Sequence, residues 1–203
     1  MIRVAVFASG RGSNLEALFD ALEGRPDAAV VLAASDRADA PALDRARRRG
    51  VEAAVVTPGD AAGTLDILDR ARVDWIVLAG YLKRVPVEVV RRYRNRILNI
   101  HPALLPAHGG KGMYGERVHA AVLKAGEKFS GASVHLVDEE YDRGPVLARE
   151  EVPVEPGDTP ATLAARVLEV EHRLLPAVVI AAAEGRVRVE GDRAWIEESR
   201  DEA

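Results

Sequence analysis

The 203-residue sequence predicts an α/β fold, with a mostly parallel twisted sheet, helices on both faces and an antiparallel addition in the C-terminal half. Three observations carry that expectation. Residues 2–8 are a near-continuous apolar run, the mark of a strand buried on both faces. Over the first hundred residues, short strand-like runs alternate with segments of helical period, the pattern of parallel strands joined by crossover helices. Beyond Pro106 the order changes to two strand-like runs joined by a polar loop, followed by one long helical stretch. The arrangement is Rossmann-like. It reads as a single domain over 1–203, with halves at 1–101 and 102–203.

In order, the first strand feeds a turn, Gly10-Arg-Gly-Ser-Asn14, and a helix in which Leu15, Leu18, Phe19 and Leu22 recur at helical spacing up to Gly24. Ala28–Ala34 is a second strand, and Pro41–Arg49 a helix that Gly50 closes. A strand at Glu52–Val56, a helix at Thr64–Ala71, a strand at Asp74–Ala79 and a short helix at Val87–Tyr93 lead into a strand at 97–101. Pro102 has no N–H for a ladder and ends that strand at His101. Gly109 to Gly115 holds four glycines in seven residues and reads as a mobile loop. Glu116–Ala125 is a helix, and Ala132–Val137 and Pro145–Val154 are strands. Thr159, with Pro160 at the first helical position, caps a helix in which Leu163, Val167, Val170 and Leu174 line one face. Pro176 should kink or interrupt that helix before Gly185. Arg186–Glu190 and Ala194–Glu197 form a hairpin around Gly191-Asp192.

Bulk composition excludes several functions. Hydrophobic residues are 48% and charged residues 30%, the balance of a soluble globular chain. No apolar run reaches the length of a membrane span, and the start reads as a strand and not a signal peptide, so no membrane partner and a cytoplasmic location are expected. The absence of cysteine removes disulfides, thiolate metal sites and a cysteine nucleophile. A net charge of −4 offers nucleic acid no general attraction. No metal-ligand spacing occurs, so no metal is expected.

Polar chemistry concentrates in three stretches. Asn99 and His101 share one face of the strand at 97–101, at its carboxyl end, where open α/β sheets bind ligands. An amide can donate to a developing oxyanion, and an imidazole can give or take a proton near neutrality. The plainer alternative is a sheet-edge cap and a satisfied buried histidine. In the second stretch, Gly10-x-Gly12-Ser13-Asn14 feeds a helix, a turn whose N–H groups suit an anion; Leu15 stands where a dinucleotide fingerprint has its third glycine, which argues against NAD. The plainer alternative there is a tight turn with a helix cap. The third stretch, His135 to Pro145, carries Asp138, Glu139, Glu140 and Asp142, most of them expected to be solvated. The clusters Arg45 to Arg49 and Arg91 to Arg96 read as solvated helix faces, and His108, Lys111 and His119 as surface residues.

Asn99-Ile-His-Pro-Ala-Leu-Leu-Pro106 resembles the signature of the folate-dependent formyltransferases, and the resemblance runs from about residue 2 to about residue 195. It is nearest to members that act on glycinamide ribonucleotide in purine biosynthesis. The resemblance implies a phosphate-binding half at 1–101 and a folate-binding, catalytic half at 102–203, and with them a reaction and its residues. The formyl group of the co-substrate 10-formyltetrahydrofolate passes to the amine of glycinamide ribonucleotide, with Asn99 and protonated His101 stabilising the oxyanion. The family's catalytic aspartate falls seven residues after the histidine that is His135 here and two before Gly-Pro, which selects Asp142 over Asp138 and leaves His135 a supporting role. Gly12, Ser13 and Asn14 hold the ribose 5′-phosphate, with Leu15 and Glu16 adjoining, and Glu171 contacts the ribose hydroxyls. Leu168 stands where some relatives carry glutamine. Gly80, Leu82, Lys83, Arg84 and Val85, together with Asn99, meet the folate, largely through main chain; Lys83 replaces a frequent arginine. No basic residue between Val56 and Leu65 matches the usual partner of the glutamate tail. Closure of the Gly109–Gly115 loop excludes water.

Other members remain as alternatives. A tRNA-acting formyltransferase normally adds a C-terminal RNA-binding domain, and the chain stops at 203; a deformylase normally adds an N-terminal domain, and the first strand begins at residue 2. A non-catalytic nucleotide-binding protein explains the turn and the sheet but not Asn99, His101 and Asp142 together. A monomer or a homodimer is expected.

Overall fold

The computed structural model describes residues 1–198, and the chain divides after Asn99 into two units. The first runs β1 (Ile2–Phe7), α1 (Ser13–Leu22), β2 (Ala28–Ser35), α2 (Pro41–Arg48), β3 (Glu52–Val55), α3 (Ala61–Arg70), β4 (Trp75–Leu78) and α4 (Val87–Arg92), then enters β5 (Ile97–His101). Its strands pair parallel in the order β3-β2-β1-β4-β5. The order turns back on itself beside β1, so the carboxyl ends of β1 and β4 border a topological switch point, where such sheets leave a crevice. β1 is central because Val4, Ala5 and Val6 offer no polar face, and all three are fully buried. α1 covers the sheet with Leu15 and Leu18, both at 0% exposure.

In this unit one boundary differs from expectation by more than a residue. α3 begins at Ala61, a turn before Thr64, because Asp60 caps it: its carboxylate accepts the Gly63 N–H at 2.9 Å. Alanine, alanine and glycine at that end carry no apolar period to reveal the first turn.

The second unit contains α5 (Glu116–Ala125), an antiparallel pair β6 (Phe129–Leu136) and β7 (Val146–Pro153), α6 (Pro160–Ala183) and the hairpin β8 (Val187–Glu190)–β9 (Arg193–Ile196). α6 packs on β6, β7 and α5. Thr159 and Thr162 form a reciprocal capping box at its start. The interruption that Pro176 could have caused does not occur, and α6 runs 24 residues through it. Proline removes one intrahelical donor, and here the flanking buried Leu175, Val178 and Val179 hold both sides of that gap. Leu175, at 0% exposure, replaces the expected Leu174 in the core; Leu174 is half-buried. Among the described residues no helix is long and apolar enough to cross a membrane.

Candidate active site

β5 carries Asn99 half-buried and His101 buried, with 3% exposure. The turn after it is bolted to β6. The Ser133 hydroxyl, itself fully buried, donates to the Ala103 carbonyl at 2.7 Å and accepts the Leu105 N–H at 3.0 Å. His101 is thus fixed from the strand on one side and from the proline-flanked turn on the other.

Asp142 reaches His101 from the loop between β6 and β7. Its Oδ2 lies 3.7 Å from His101 Nδ1, and its Oδ1 lies 3.5 Å from His135 Nε2. The carboxylate is 11% exposed and accepts the Gly110 N–H at 2.8 Å. Two backbone features deliver it there. Asp142 adopts a left-handed φ of 54°, sparsely populated for a non-glycine residue but tolerated by aspartate. Gly144 then passes so close to the Leu136 carbonyl that any Cβ would collide with it.

The outer nitrogens of both imidazoles face carbonyls. His101 Nε2–H donates to the His108 carbonyl at 2.9 Å, and His135 Nδ1–H donates to the Leu136 carbonyl at 2.8 Å. A carbonyl only accepts, so those nitrogens carry the hydrogen of the neutral ring. The nitrogen that faces Asp142 is protonated only when the ring is a cation. The carboxylate is therefore placed to favour a second proton on the His101 ring.

Burial nevertheless prevails at His101. Desolvation lowers its pKa below the usual 6.5; Asp142 and the His108 carbonyl oppose that without cancelling it. The resting ring is neutral at neutral pH because burial disfavours its charged form. At Asp142 burial is the largest influence and raises the pKa, but His135, His101 and the Gly110 N–H together outweigh it and hold the carboxyl below its ordinary value.

The Gly-rich turn joins β1 to α1. Gly12 has φ 73° and precedes α1 without a side-chain cap, so the plainer helix-cap reading finds no support in Ser13 or Asn14 at that position. Ser13 is half-buried, Asn14 is 7% exposed and Leu15 is fully buried, leaving Leu15 only main chain to offer a ligand. The Glu16 carboxylate is engaged by guanidinium groups of α2 and the residue after it: Arg45 Nη1 at 3.0 Å, and Arg49 Nε and Nη2 at 3.0 and 2.6 Å. Arg45 and Arg49 are thus bridges between helices and not the solvated faces expected.

The segment after β4 places Gly80, Lys83 and Arg84 at the surface, Leu82 at 49% exposure and Val85 at 5%. It is anchored by two residues that sequence reasoning missed. Ser9 Oγ accepts the Leu82 N–H at 2.9 Å and donates to Asp36 Oδ1 at 2.5 Å; the Ser9 N–H donates to the Gly80 carbonyl at 3.0 Å. Lys83 Nζ stands 4.0 Å from the other Asp36 oxygen. The only sequence signal for either residue is a polar side chain directly after a buried strand.

Glu171, on α6, is buried, with 9% exposure. Among the described residues no group of three or more His, Cys, Asp or Glu is arranged to hold a metal ion.

His119 was expected at the surface, but α5 turns it inward to 4% exposure and leaves its Nδ1 without a hydrogen-bond partner. Burial, then the proximity of His101, pushes its pKa down to about 4. The unfolded chain binds a proton near 6.5 and the folded chain does not, so stability present above 6.5 is lost as pH falls towards 4, on the order of 3 kcal/mol for this group. Urea unfolding at pH 7 and pH 4.5 should show that loss in the native protein and a clearly smaller one in His119→Gln.

Comparison with known proteins agrees with this architecture. The family model described as formyl transferase matches residues 2–179. The chain is 44% identical over 195 residues to the chloroplastic phosphoribosylglycinamide formyltransferase of Arabidopsis thaliana, covering 92% of this chain and 67% of that protein. It spans 62% of the Vigna unguiculata counterpart. To the phosphoribosylglycinamide formyltransferase of Escherichia coli it is 35% identical, over 98% of this chain and 95% of that one. The solved glycinamide ribonucleotide transformylase 1 of Symbiobacterium toebii superposes with a TM-score of 0.90 at 40% identity, covering 98% and 95% of the two chains.

Proposed function

The chain belongs to the formyl transferase family, and on that premise we propose that it is a phosphoribosylglycinamide formyltransferase, moving the formyl group of 10-formyltetrahydrofolate to the amine of glycinamide ribonucleotide in purine biosynthesis. The observation that carries the reading is the Asp142 carboxylate, 11% exposed, at ion-pair distance from the buried His101 imidazole at the end of β5. The substrates are small molecules met in the cytoplasm, by a monomer or a homodimer.

The substrate amine attacks the formyl carbon, forming a C–N bond and a tetrahedral oxyanion, with no covalent enzyme intermediate. The Asn99 amide donates to that oxyanion. Attack leaves the nitrogen positively charged, and Asp142 relays its proton to Nδ1 of neutral His101, the ring nitrogen that carries no hydrogen. The imidazolium so formed faces the oxyanion with Asp142 behind it. The same proton then passes to N10 of the folate as the C–N10 bond breaks, so proton and charge balance within the site. A lowered His101 pKa suits a ring that begins neutral and is charged only in passing. In the resting state Nε2–H is occupied by the carbonyl of His108, directly before the Gly109–Gly115 segment. Movement of that segment on substrate binding frees the N–H and shuts out water.

Gly12, Ser13, Asn14, Leu15 and Glu16 form the phosphate end of the ribonucleotide site, Glu171 meets the ribose, and Gly80 with Leu82–Val85 receives the folate ring. Because the Leu82 N–H is taken by Ser9, folate recognition at that residue falls to its carbonyl. Val85, buried, likewise contributes main chain.

Incubation of the purified protein with both substrates, followed by the absorbance of the deformylated folate, tests the proposal. Release that requires glycinamide ribonucleotide is expected. Release without it marks a deformylase, and binding of both ligands without release marks a non-catalytic protein.

A further inference from the structure

We propose that Arg45 is a positioning residue for the substrate phosphate: by drawing the Arg11 carbonyl onto α2 it aims the Gly12 N–H at the anion. The inference rests on the reading of the Gly12–Asn14 turn as the phosphate site.

The turn between β1 and α1 is held along one side by α2. The Ala42 N–H donates to the Gly10 carbonyl at 3.2 Å, and Arg45 Nε donates to the Arg11 carbonyl at 2.8 Å. A trans peptide is planar, so each carbonyl points opposite to the N–H of the following residue. Two successive carbonyls drawn towards α2 therefore turn two successive N–H groups, those of Arg11 and Gly12, away from it. Among the described residues neither N–H has a hydrogen-bond partner. They continue into the first turn of α1, whose N–H groups point the same way as any helix start, and successive amides of this kind form a concave anion site.

The turn also lies flush on α2. Gly12 sits at φ 73°, and a Cβ there would meet the Ala42 Cβ at 2.7 Å and Arg45 Cδ at 3.5 Å. Arg45 is itself immobilised, since Nη1 lies 3.0 Å from Glu16 Oε2 while Arg49 holds Oε1. The planar guanidinium thus serves a carbonyl through Nε and a carboxylate through Nη1 at once. The Glu16 carboxylate neutralises the charge of Arg45, so its contribution is orientation more than attraction. Nothing local in the sequence marks it, because Arg11 and Arg45 are 34 positions apart.

Arg45→Lys retains the charge and loses the fork. The KM for glycinamide ribonucleotide should rise about tenfold, as for loss of one charge-assisted hydrogen bond, with kcat and the KM for the formyl donor within about twofold of native. In 1H–15N spectra titrated with inorganic phosphate, the Gly12 amide of the native protein should shift, and in the variant the same shift should need about ten times more phosphate. Native-like phosphate affinity in the variant overturns the inference. So does an equal rise in both KM values, which marks a general structural role. A native Gly12 amide that ignores phosphate, in a protein that still formylates the ribonucleotide, overturns the phosphate assignment and this inference with it, while leaving the proposed reaction standing. Should Arg45→Lys not fold, Glu16→Gln weakens the anchor of Arg45 without removing it; a selective rise of about threefold in the ribonucleotide KM is expected, and no rise overturns the inference.

Discussion

Asp142→Asn is expected to lower kcat by about 10³-fold while both KM values stay within a few-fold of native. The substitution preserves shape. The amide oxygen can still accept the Gly110 N–H, so the loop between β6 and β7 keeps its tether and its left-handed residue. What disappears is the negative charge 3.7 Å from His101 Nδ1, the group that stabilises the imidazolium as the amine gives up its proton. The pH profile separates this from a packing defect. Burial lowers the His101 pKa and Asp142 raises it, so without the carboxylate burial acts with less opposition and the pKa falls further. His101 must be neutral to accept a proton, and kcat/KM of the native enzyme should decline on the acid side through that pKa. In the variant the decline should move to lower pH. Steady-state kinetics between pH 5 and 9 on both proteins provide the check; native turnover in Asp142→Asn, or an acid limb that moves upward, would refute the role.

How far such a site is legible in sequence depends on whether its residues are fixed by local pattern or by distant contacts. β1 is legible because residues 2–8 are apolar but for Arg3 and leave no other place for it, and α5 because glycines bracket a clean helical period. Asn99 and His101 are legible because strand alternation sets their common face and Pro102 sets where it stops. The choice of Asp142 among four nearby carboxylates came from family spacing, not from the residues. In the structure Asp142 stands apart through Gly144 and the positive φ that swing it inward. His119 was misplaced because α5 has one polar residue on its buried face, next to His101, and a helical wheel counts that as surface. At Pro176 propensity forecasts a kink or an interruption, and the helix is not interrupted because core contacts of Leu175, Val178 and Val179 hold it. Ser9, Asp36 and Arg45 could not have been found at all, since the first two meet across 27 positions and Arg45 acts on a main-chain carbonyl.

Asn99→Ala should lower kcat by about 10²–10³-fold, the usual effect of removing one oxyanion donor, with little change in either KM. The argument rests on rigidity. A donor helps only if it is already aimed where charge develops, and the strand supplies that aim. Leu98 and Ile100 on the opposite face are 1% and 5% exposed, and Leu78↔Asn99 is a paired position of the β4–β5 ladder, so rotation of the strand would expose core. Loss of packing is a competing explanation for any alanine variant, and Asn99→Asp resolves it. Aspartate matches asparagine in size, fills the same half-buried space and offers only acceptors when ionised. If Asn99 serves as a donor to negative charge, the isosteric aspartate should be slower than alanine, because it adds repulsion to the lost hydrogen bond. If Asn99 merely fills space or caps the sheet edge, aspartate should retain more activity than alanine. Single-turnover rates with saturating substrates, measured at a pH where His101 is neutral in all three proteins, give the order directly: asparagine above alanine above aspartate is the result that a developing oxyanion at the end of β5 requires.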